Sequence, residues 1–468
     1  MDATELCYTP ATALAEMIRT RQVSPVEVTR AVLDRIERVN PALNAFCTVT
    51  GEAALAAAGE AERAVMAGRP LGSLHGLPFS IKDLARTAGV RTMYGSHVFA
   101  DLVPDHDAPY VRRLRAAGGI LLGKTTTPEF GWKAIGDCPL TGISRNPWNP
   151  DTTPGGSSSG AGIGAAAGLG PLHQGSDGAG SIRIPASFCG VFGLKPSYGR
   201  VPQWPVSNND YTTHVGPMTR TVADAALMMS VMAGPDEWDR TSLEAAPADY
   251  VSHLRAGIKG LRVAWSATLG GLRVDPDVAA ATGEAARVFT DLGAHVEEVE
   301  PAWPDTSDVI RIMWSAHMVG NYAAHLPRWR ARMDPGLVAC IEEGRGLSVV
   351  DYMQARARKM EAWDAMRPTF ETYDLMLMPT VSVTALPVGR LNPEHWPPHP
   401  WNWIGWASFS YPFNFTGQPA ATVPAGFAPS GLPVGLQIVG RRFADLTVLQ
   451  AAAAYEEARP WARRRPRT

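Results

Sequence analysis

The stretch PGGSSSGAGIGAAAGLGPLHQGSDGAGSIRIPASFCGVFGLKP (154–196) constrains this chain more than any other, because twelve of its 43 residues are glycine. Glycine at that density weakens both helices and strands, so the segment must be held by its surroundings rather than by its own propensity. It does permit close backbone approach and turns whose N–H groups converge on one point. Two such turns carry serine: PGGSSSG with Ser157, and GSDGAGSIRIP with Ser181, flanked by Asp177 and Arg183.

Convergent N–H groups beside a hydroxyl are what an oxyanion needs, but serine is inert near neutral pH unless a partner removes its proton. No histidine lies near either turn in an informative context. Only six of the 43 basic residues are lysines, and one of them, Lys82, ends the apolar run GLPFSI. A lysine in such surroundings is desolvated and its pKa falls toward the range of a general base. Ser–Lys catalysis is an established variant of triad logic. The plainer alternatives are a glycine loop kept for packing and a lysine that reaches water at a strand end.

Three literal motif matches fail their context. GGILLGKT (118–125) spells a phosphate loop, yet a helix precedes it and Ile120, Leu121 and Leu122 read as a strand. GSSSG (156–160) spells a nucleophile elbow around Ser158, but the proline-rich NPWNPDTTPG before it is not a strand. GAGIGAAAG (160–168) is a degenerate dinucleotide fingerprint, better explained by close helix packing.

The rest of the chain alternates helical patterns with short apolar runs. Residues 11–67 read as helices, with Ser24-Pro25 opening one and Gly68 closing the last. Then come GLPFSIKD (76–83), the amphipathic APYVRRLRAAG (108–118), GILLGK (119–124), VADAALMMSVMAG (222–234), GLRVAWS (260–266) and YDLMLMPT (373–380). That rhythm predicts an α/β protein with a covered central sheet. LNPEHWPPHPWNWIGW (391–406) is the longest irregular insertion.

With 468 residues, 45% of them hydrophobic, and a net charge of −2, no global field favours nucleic acid or anionic membranes. MDATELCYTP has no leader pattern and no window reaches a membrane span, so a cytoplasmic protein is expected. Five scattered cysteines suggest neither disulfides nor a metal site. The basic tail RPWARRRPRT (459–468) reads as a solvated end.

These segments together closely resemble the amidase signature family of serine–serine–lysine hydrolases. The resemblance rests on the lysine of GLPFSIKD and on the 154–196 signature. It extends through SPVEVTRAVLDRIERVNPALNAF (24–46), RNPWNP (145–150), YPFNFTGQPAATVPAGF and GLPVGLQIVG (411–440). It implies one domain over residues 1–468, an α/β/α sandwich with a large mixed sheet. A helical layer over about 1–68 would precede a catalytic core over about 69–234. It further implies Lys82 as base, Ser157 as bridging serine and Ser181 as nucleophile, with Gly178, Ala179 and Gly180 forming the oxyanion hole. Ser158, Ser176, Asp177 and Arg183 would support them, and neither metal nor cofactor is needed.

Two departures stand out. Ser176 replaces the usual threonine and Ala179 a glycine of G-T-D-x-G-G-S, and Ser159 replaces a glycine of PGGSSGG. Trp132 lies where family members often line the acyl pocket, and Trp396, Trp401, Trp403 and Trp406 are candidates for its mouth. The alternative for each is the core or a dimer contact, and a homodimer stays open. The expected activity is stand-alone hydrolysis of a small amide with an apolar or aromatic part. The alternatives are a glutamine-hydrolysing amidotransferase subunit that delivers ammonia to a partner, and a noncatalytic protein with a fossil site.

Overall fold

The computed structural model describes residues 2–207 and 209–468. Its short apolar runs become strands: β1 (Phe46–Val49), β2 (Pro78–Lys82), β3 (Ile120–Thr125), a small hairpin of β4 (Asp137–Cys138) and β5 (Gly142–Ile143), β6 (Leu172–Asp177), β7 (Phe192–Lys195) and β8 (His214–Thr219). They continue with β9 (Arg262–Trp265), β10 (His295–Glu298), β11 (Leu375–Pro379), β12 (Ala420–Phe427) and β13 (Pro433–Gly440). All except β4 and β5 join one 11-stranded sheet in the order β1-β3-β2-β6-β8-β7-β12-β13-β11-β9-β10. The pairs β2–β3, β2–β6, β9–β10 and β9–β11 are parallel and the rest antiparallel, so the sheet is mixed.

Strands β2 and β13 have every residue buried because both faces of the sheet are covered. Alternation then sorts side chains between layers. In β11, Leu375 and Leu377 enter the core shared with the helices Pro276–Asp291 and Asp445–Ala458, whereas Met376 and Met378 point into another apolar cluster with Phe409 and Phe413. The result is an α/β/α sandwich.

Helix Pro25–Leu43 shows how local chemistry sets a boundary. The Ser24 side chain caps its first turn, Glu27 returns a bond to the Ser24 amide at 2.8 Å, and Asn44 ends the helix in the left-handed region. Val28, Val32, Ile36, Val39 and Leu43 form its buried face. The N-terminal layer is nevertheless not purely helical. The aromatic and β-branched FCTV forms β1, which pairs antiparallel with β3 at the sheet edge.

The glycine-alanine run forms the wholly buried helix Ser159–Ala167. A Cβ on Gly160 would lie 2.0 Å from the Ala45 carbonyl oxygen, so close packing accounts for this glycine. The basic tail keeps Arg463, Arg464 and Arg467 exposed, as expected of a solvated end, but it is also tied down at several points. Trp461 Nε1 donates to the Arg220 carbonyl at 2.8 Å, Arg465 pairs with Glu5 at 2.6 Å, and Thr468 accepts from Arg35. Among the described residues no helix is long and apolar enough to cross a membrane.

Candidate active site

Parallel strands β2 and β6 lie side by side, so their carboxyl ends open onto the same crevice. Lys82 is the last residue of β2, and its amide donates to Gln174 Oε1 of β6 at 3.1 Å. The side chain is fully buried, and desolvation lowers its pKa to about 7 against a small opposing pull from Asp177. Its Nζ lies 2.8 Å from Ser157 Oγ, 3.0 Å from Ser158 Oγ and 3.1 Å from Ser176 Oγ.

A neutral amine has two N–H bonds and one lone pair, so one neighbouring hydroxyl can direct its own proton at Nζ. Ser158 has its proton engaged elsewhere, since its Oγ donates to the Ser176 carbonyl at 3.1 Å. The hydroxyls of Ser157 and Ser176 remain for that role. Ser176 thus keeps the hydroxyl contact expected of threonine at this position.

The second glycine turn links β6 to helix Arg183–Cys189 and carries Ser181. The two serine turns are joined by the Ser158 amide, which donates to the Ser181 carbonyl at 3.1 Å. Asp177 holds the Ser181 turn from within. Its Oδ1 accepts from the Gly180 amide at 2.6 Å and its Oδ2 from the Ile182 amide at 3.2 Å. Arg183 grips both carboxylate oxygens at 2.9 Å. It also reaches the Ser410 carbonyl, Gln437 and Asn414 at 2.6 to 2.7 Å. Burial alone would raise the Asp177 pKa, but the Arg183 charge and hydrogen bonds, with help from Lys195 and Asn414, hold it well below the ordinary carboxylate range.

This arrangement alters one expectation. The Gly180 amide is committed to Asp177 and therefore shapes the turn instead of standing free for an oxyanion. Gly180 needs to be glycine for a further reason: φ is 120° and a Cβ would fall 2.4 Å from Ser410 Oγ. The Ala179 methyl is fully buried within the neighbouring apolar cluster, and its carbonyl accepts from Ser410 Oγ at 2.8 Å. Ser159 begins a helix and donates to the Gly155 carbonyl at 2.7 Å.

Lys82, Ser157, Ser176, Gly178 and Ser181 line one end of a cavity of about 550 Å³. Its walls combine the aromatic Tyr94, Phe99, Tyr110, Phe130, Trp204, Trp314 and Tyr322 with polar side chains such as Gln203, Asn209 and Asn321. Phe130 stacks on Tyr322 at a centroid distance of 4.0 Å.

Trp132 is not among these residues. The chain turns sharply at Phe130, whose φ is 53°, and Phe130 meets the cavity while Trp132 is buried behind it. The Trp132 carbonyl accepts from the indoles of Trp314 and Trp403, each at 3.0 Å. The tryptophan-rich insertion is likewise core. Trp401, Trp403 and Trp406 are buried, with their indole N–H groups on Glu343, Trp132 and Leu391. Neither they nor the half-buried Trp396 line the cavity. Lys124, in the discarded phosphate-loop match, sits in β3 and donates to Ala85 and Thr92, each at 2.7 Å.

The amidase family model matches residues 27–449. The chain belongs to the amidase family. It is 41% identical over 481 residues to an acylamidase of Rhodococcus erythropolis, covering 100% of this chain and 98% of that one. It is 35% identical to a glutamyl-tRNA(Gln) amidotransferase subunit of Geobacter metallireducens, covering 96% of each chain. The crystal structure of a bacterial aryl acylamidase of the amidase signature family superposes with a TM-score of 0.91 at 34% identity, over 97% of both chains. As a member of this family, the protein is an amide hydrolase acting on C–N bonds other than peptide bonds.

Proposed function

We propose that this amidase works alone, through an acyl-enzyme on Ser181, and that its substrates are small amides with an aromatic or apolar part. Neutral Lys82 takes the Ser157 proton, Ser157 takes the Ser181 proton, and Ser181 Oγ attacks the amide carbonyl. Collapse of the tetrahedral intermediate breaks the C–N bond, and the same relay run backward delivers the proton to the leaving amine. Water then cleaves the acyl-enzyme with the relay again as base.

The observation that carries this reading is the fully buried Lys82, with a pKa of about 7 and Nζ 2.8 Å from Ser157 Oγ, at the end of a cavity that also exposes Ser181. In this role the oxyanion rests on the amides of Gly178, Ala179 and Ser181, each lost donor costing roughly 3–4 kcal/mol in comparable sites. Gly180, Asp177 and Arg183 keep that turn in shape, while Ser158 and Ser176 orient Nζ. The aromatic walls support an aromatic or apolar substrate.

The likeness to an amidotransferase subunit favours glutamine as a second reading. Free glutamine, however, brings an ammonium group, and no acidic side chain among the described lining residues is there to meet it. The test is amine or ammonia release by the purified chain alone on aryl, aliphatic and indole-acetic amides and glutamine. Turnover of apolar amides that disappears in Ser181→Ala supports the proposal. Turnover of glutamine alone, or none until a partner is added, transfers the site to the second reading.

A further inference from the structure

Arg86 lies on the wall of the same cavity as Ser181, just beyond the end of β2. Its guanidinium stands over the Trp204 ring at 5.0 Å, lies close enough to the Tyr94 hydroxyl to oppose the rise that burial gives its pKa, and has Nη1 3.5 Å from His106 Nε2. Its Nε is buried without a hydrogen-bond partner. No carboxylate among the described residues pairs with it. Arg183 and Arg200 pair with Asp177 and Asp445, while the buried Arg35 and Arg220, also without a carboxylate, donate to backbone carbonyls and, for Arg35, to the Tyr8 and Thr468 hydroxyls. Arg86 differs in facing the cavity with Nε unpartnered.

The described lining of the cavity contains no acidic side chain, and its other basic group is the Lys82 amine. A half-buried guanidinium is costly to keep without a counter-charge. Its planar fork is shaped to take a carboxylate. The Trp204 ring beneath it adds a cation–π contact but no opposite charge.

Building on the amidase reading of Ser181, we infer that Arg86 is a specificity residue. It receives a carboxylate carried by the substrate away from the scissile bond, which makes the substrate class anionic amides with an aromatic or apolar body. An anion without an accompanying ammonium suits this wall, because the cavity offers a cation and no acid.

The test uses matched anilides at pH 8.5, where Lys82 is largely neutral and Arg86 is the cation left in the cavity. Para-acetamidophenylacetate is compared with para-acetamidophenylacetone, whose methylene spacers keep the two leaving anilines electronically alike, for a carboxylate on the amine side. Succinanilate is compared with its methyl-ketone isostere for a carboxylate on the acyl side. The readout is the ratio of kcat/KM for the charged and the neutral partner, which is independent of the active fraction of each preparation. In at least one pair the wild-type ratio is expected to exceed about 10, the size of one charge-assisted hydrogen bond. Arg86→Met brings it close to one, and Arg86→Lys retains part of it.

A wild-type ratio of one or below in both pairs, or a ratio that Arg86→Met leaves unchanged, overturns the assignment. Calorimetric binding of the same four compounds to Ser181→Ala, with and without Arg86→Met, asks the question without turnover. Preferential binding of a carboxylate that depends on Arg86, in a protein that hydrolyses none of the four, would keep the Arg86 assignment and sink the acyl-enzyme reading. Turnover of all four without charge preference would do the reverse.

Discussion

Replacing Lys82 by methionine separates its charge from its shape, and the effect is readable in both stability and rate. The lysine pKa falls from 10.5 to about 7 in the folded protein. At roughly 1.4 kcal/mol per unit this amounts to about 5 kcal/mol that burial levies on the charged form. The sign follows from proton counting. Between pH 7 and 10.5 the unfolded chain binds a proton at this site and the folded chain does not, so wild-type stability rises with pH across that window and levels off below 7. Lys124, also shifted down by burial to about 8, contributes a similar slope, but it is present in both proteins and cancels in their difference. Subtracting the Lys82→Met curve from the wild-type curve between pH 7.5 and 9.5 should therefore leave a rise of about 2–3 kcal/mol. The lost Ser157, Ser158 and Ser176 contacts displace the whole difference without tilting it.

Urea unfolding followed by tryptophan fluorescence at five pH values measures the tilt. In the same preparations, wild-type kcat/KM on an aryl amide should climb tenfold per pH unit and flatten near pH 7, as a base that must be neutral requires. Lys82→Met should lose at least about 10²–10⁴ in kcat/KM. Parallel stability curves with an unchanged acid limb would mean that Lys82 stays charged in the fold, and the base assignment would fail.

The Asp177–Arg183 pair offers a second check. Arg183→Met strands a buried carboxylate and should cost about 3–5 kcal/mol in urea unfolding, while adding Asp177→Asn recovers part of it; equal losses in single and double variants would contradict the pairing. Gly180→Ala places a Cβ 2.4 Å from Ser410 Oγ at a φ of 120°, so about 1–3 kcal/mol of stability and most amidase activity should be lost, measured by melting and by rate. Phe130→Ala removes a cavity wall without touching the relay. KM for aryl amides should rise about tenfold while kcat changes far less, and a collapse of kcat alone would argue that Phe130 acts on the relay.

What was legible in the chain follows from which residues act on their sequence neighbours. The strand runs 76–83, 119–124 and 373–380 were readable because burial on both faces leaves a continuous apolar stretch. The two serine turns were readable because glycine itself is conspicuous in sequence, and at Gly180 a φ of 120° demands it locally, although the close contacts at Gly160 and Gly180 come from the distant Ala45 and Ser410. Lys82 stood out because a lysine ending an apolar strand already implies desolvation. β1 was hidden inside a helical region because four residues are too few for a pattern, and its strand character depends on β3, far along the chain.

The cavity wall was illegible for a different reason. Trp132 and Phe130 are two residues apart, and the positive φ at Phe130 decides which of them meets the substrate space. The tryptophans of 396–406 suggested a binding surface by composition, yet buried acceptors such as the Trp132 carbonyl and Glu343 satisfy their indoles and make them core. The basic tail suggested solvent by charge, yet Glu5 lies 460 positions away in the chain to receive Arg465. In each case the deciding partner is contributed by a distant segment. The proposed chemistry of this site is therefore written in contiguous motifs, while the cavity wall is assembled from side chains between Arg86 and Tyr322 that share no motif. Arg86 belongs to the second group although it stands four residues from Lys82: its identity as an arginine is local, but its lack of a carboxylate partner is a property only the folded chain reveals.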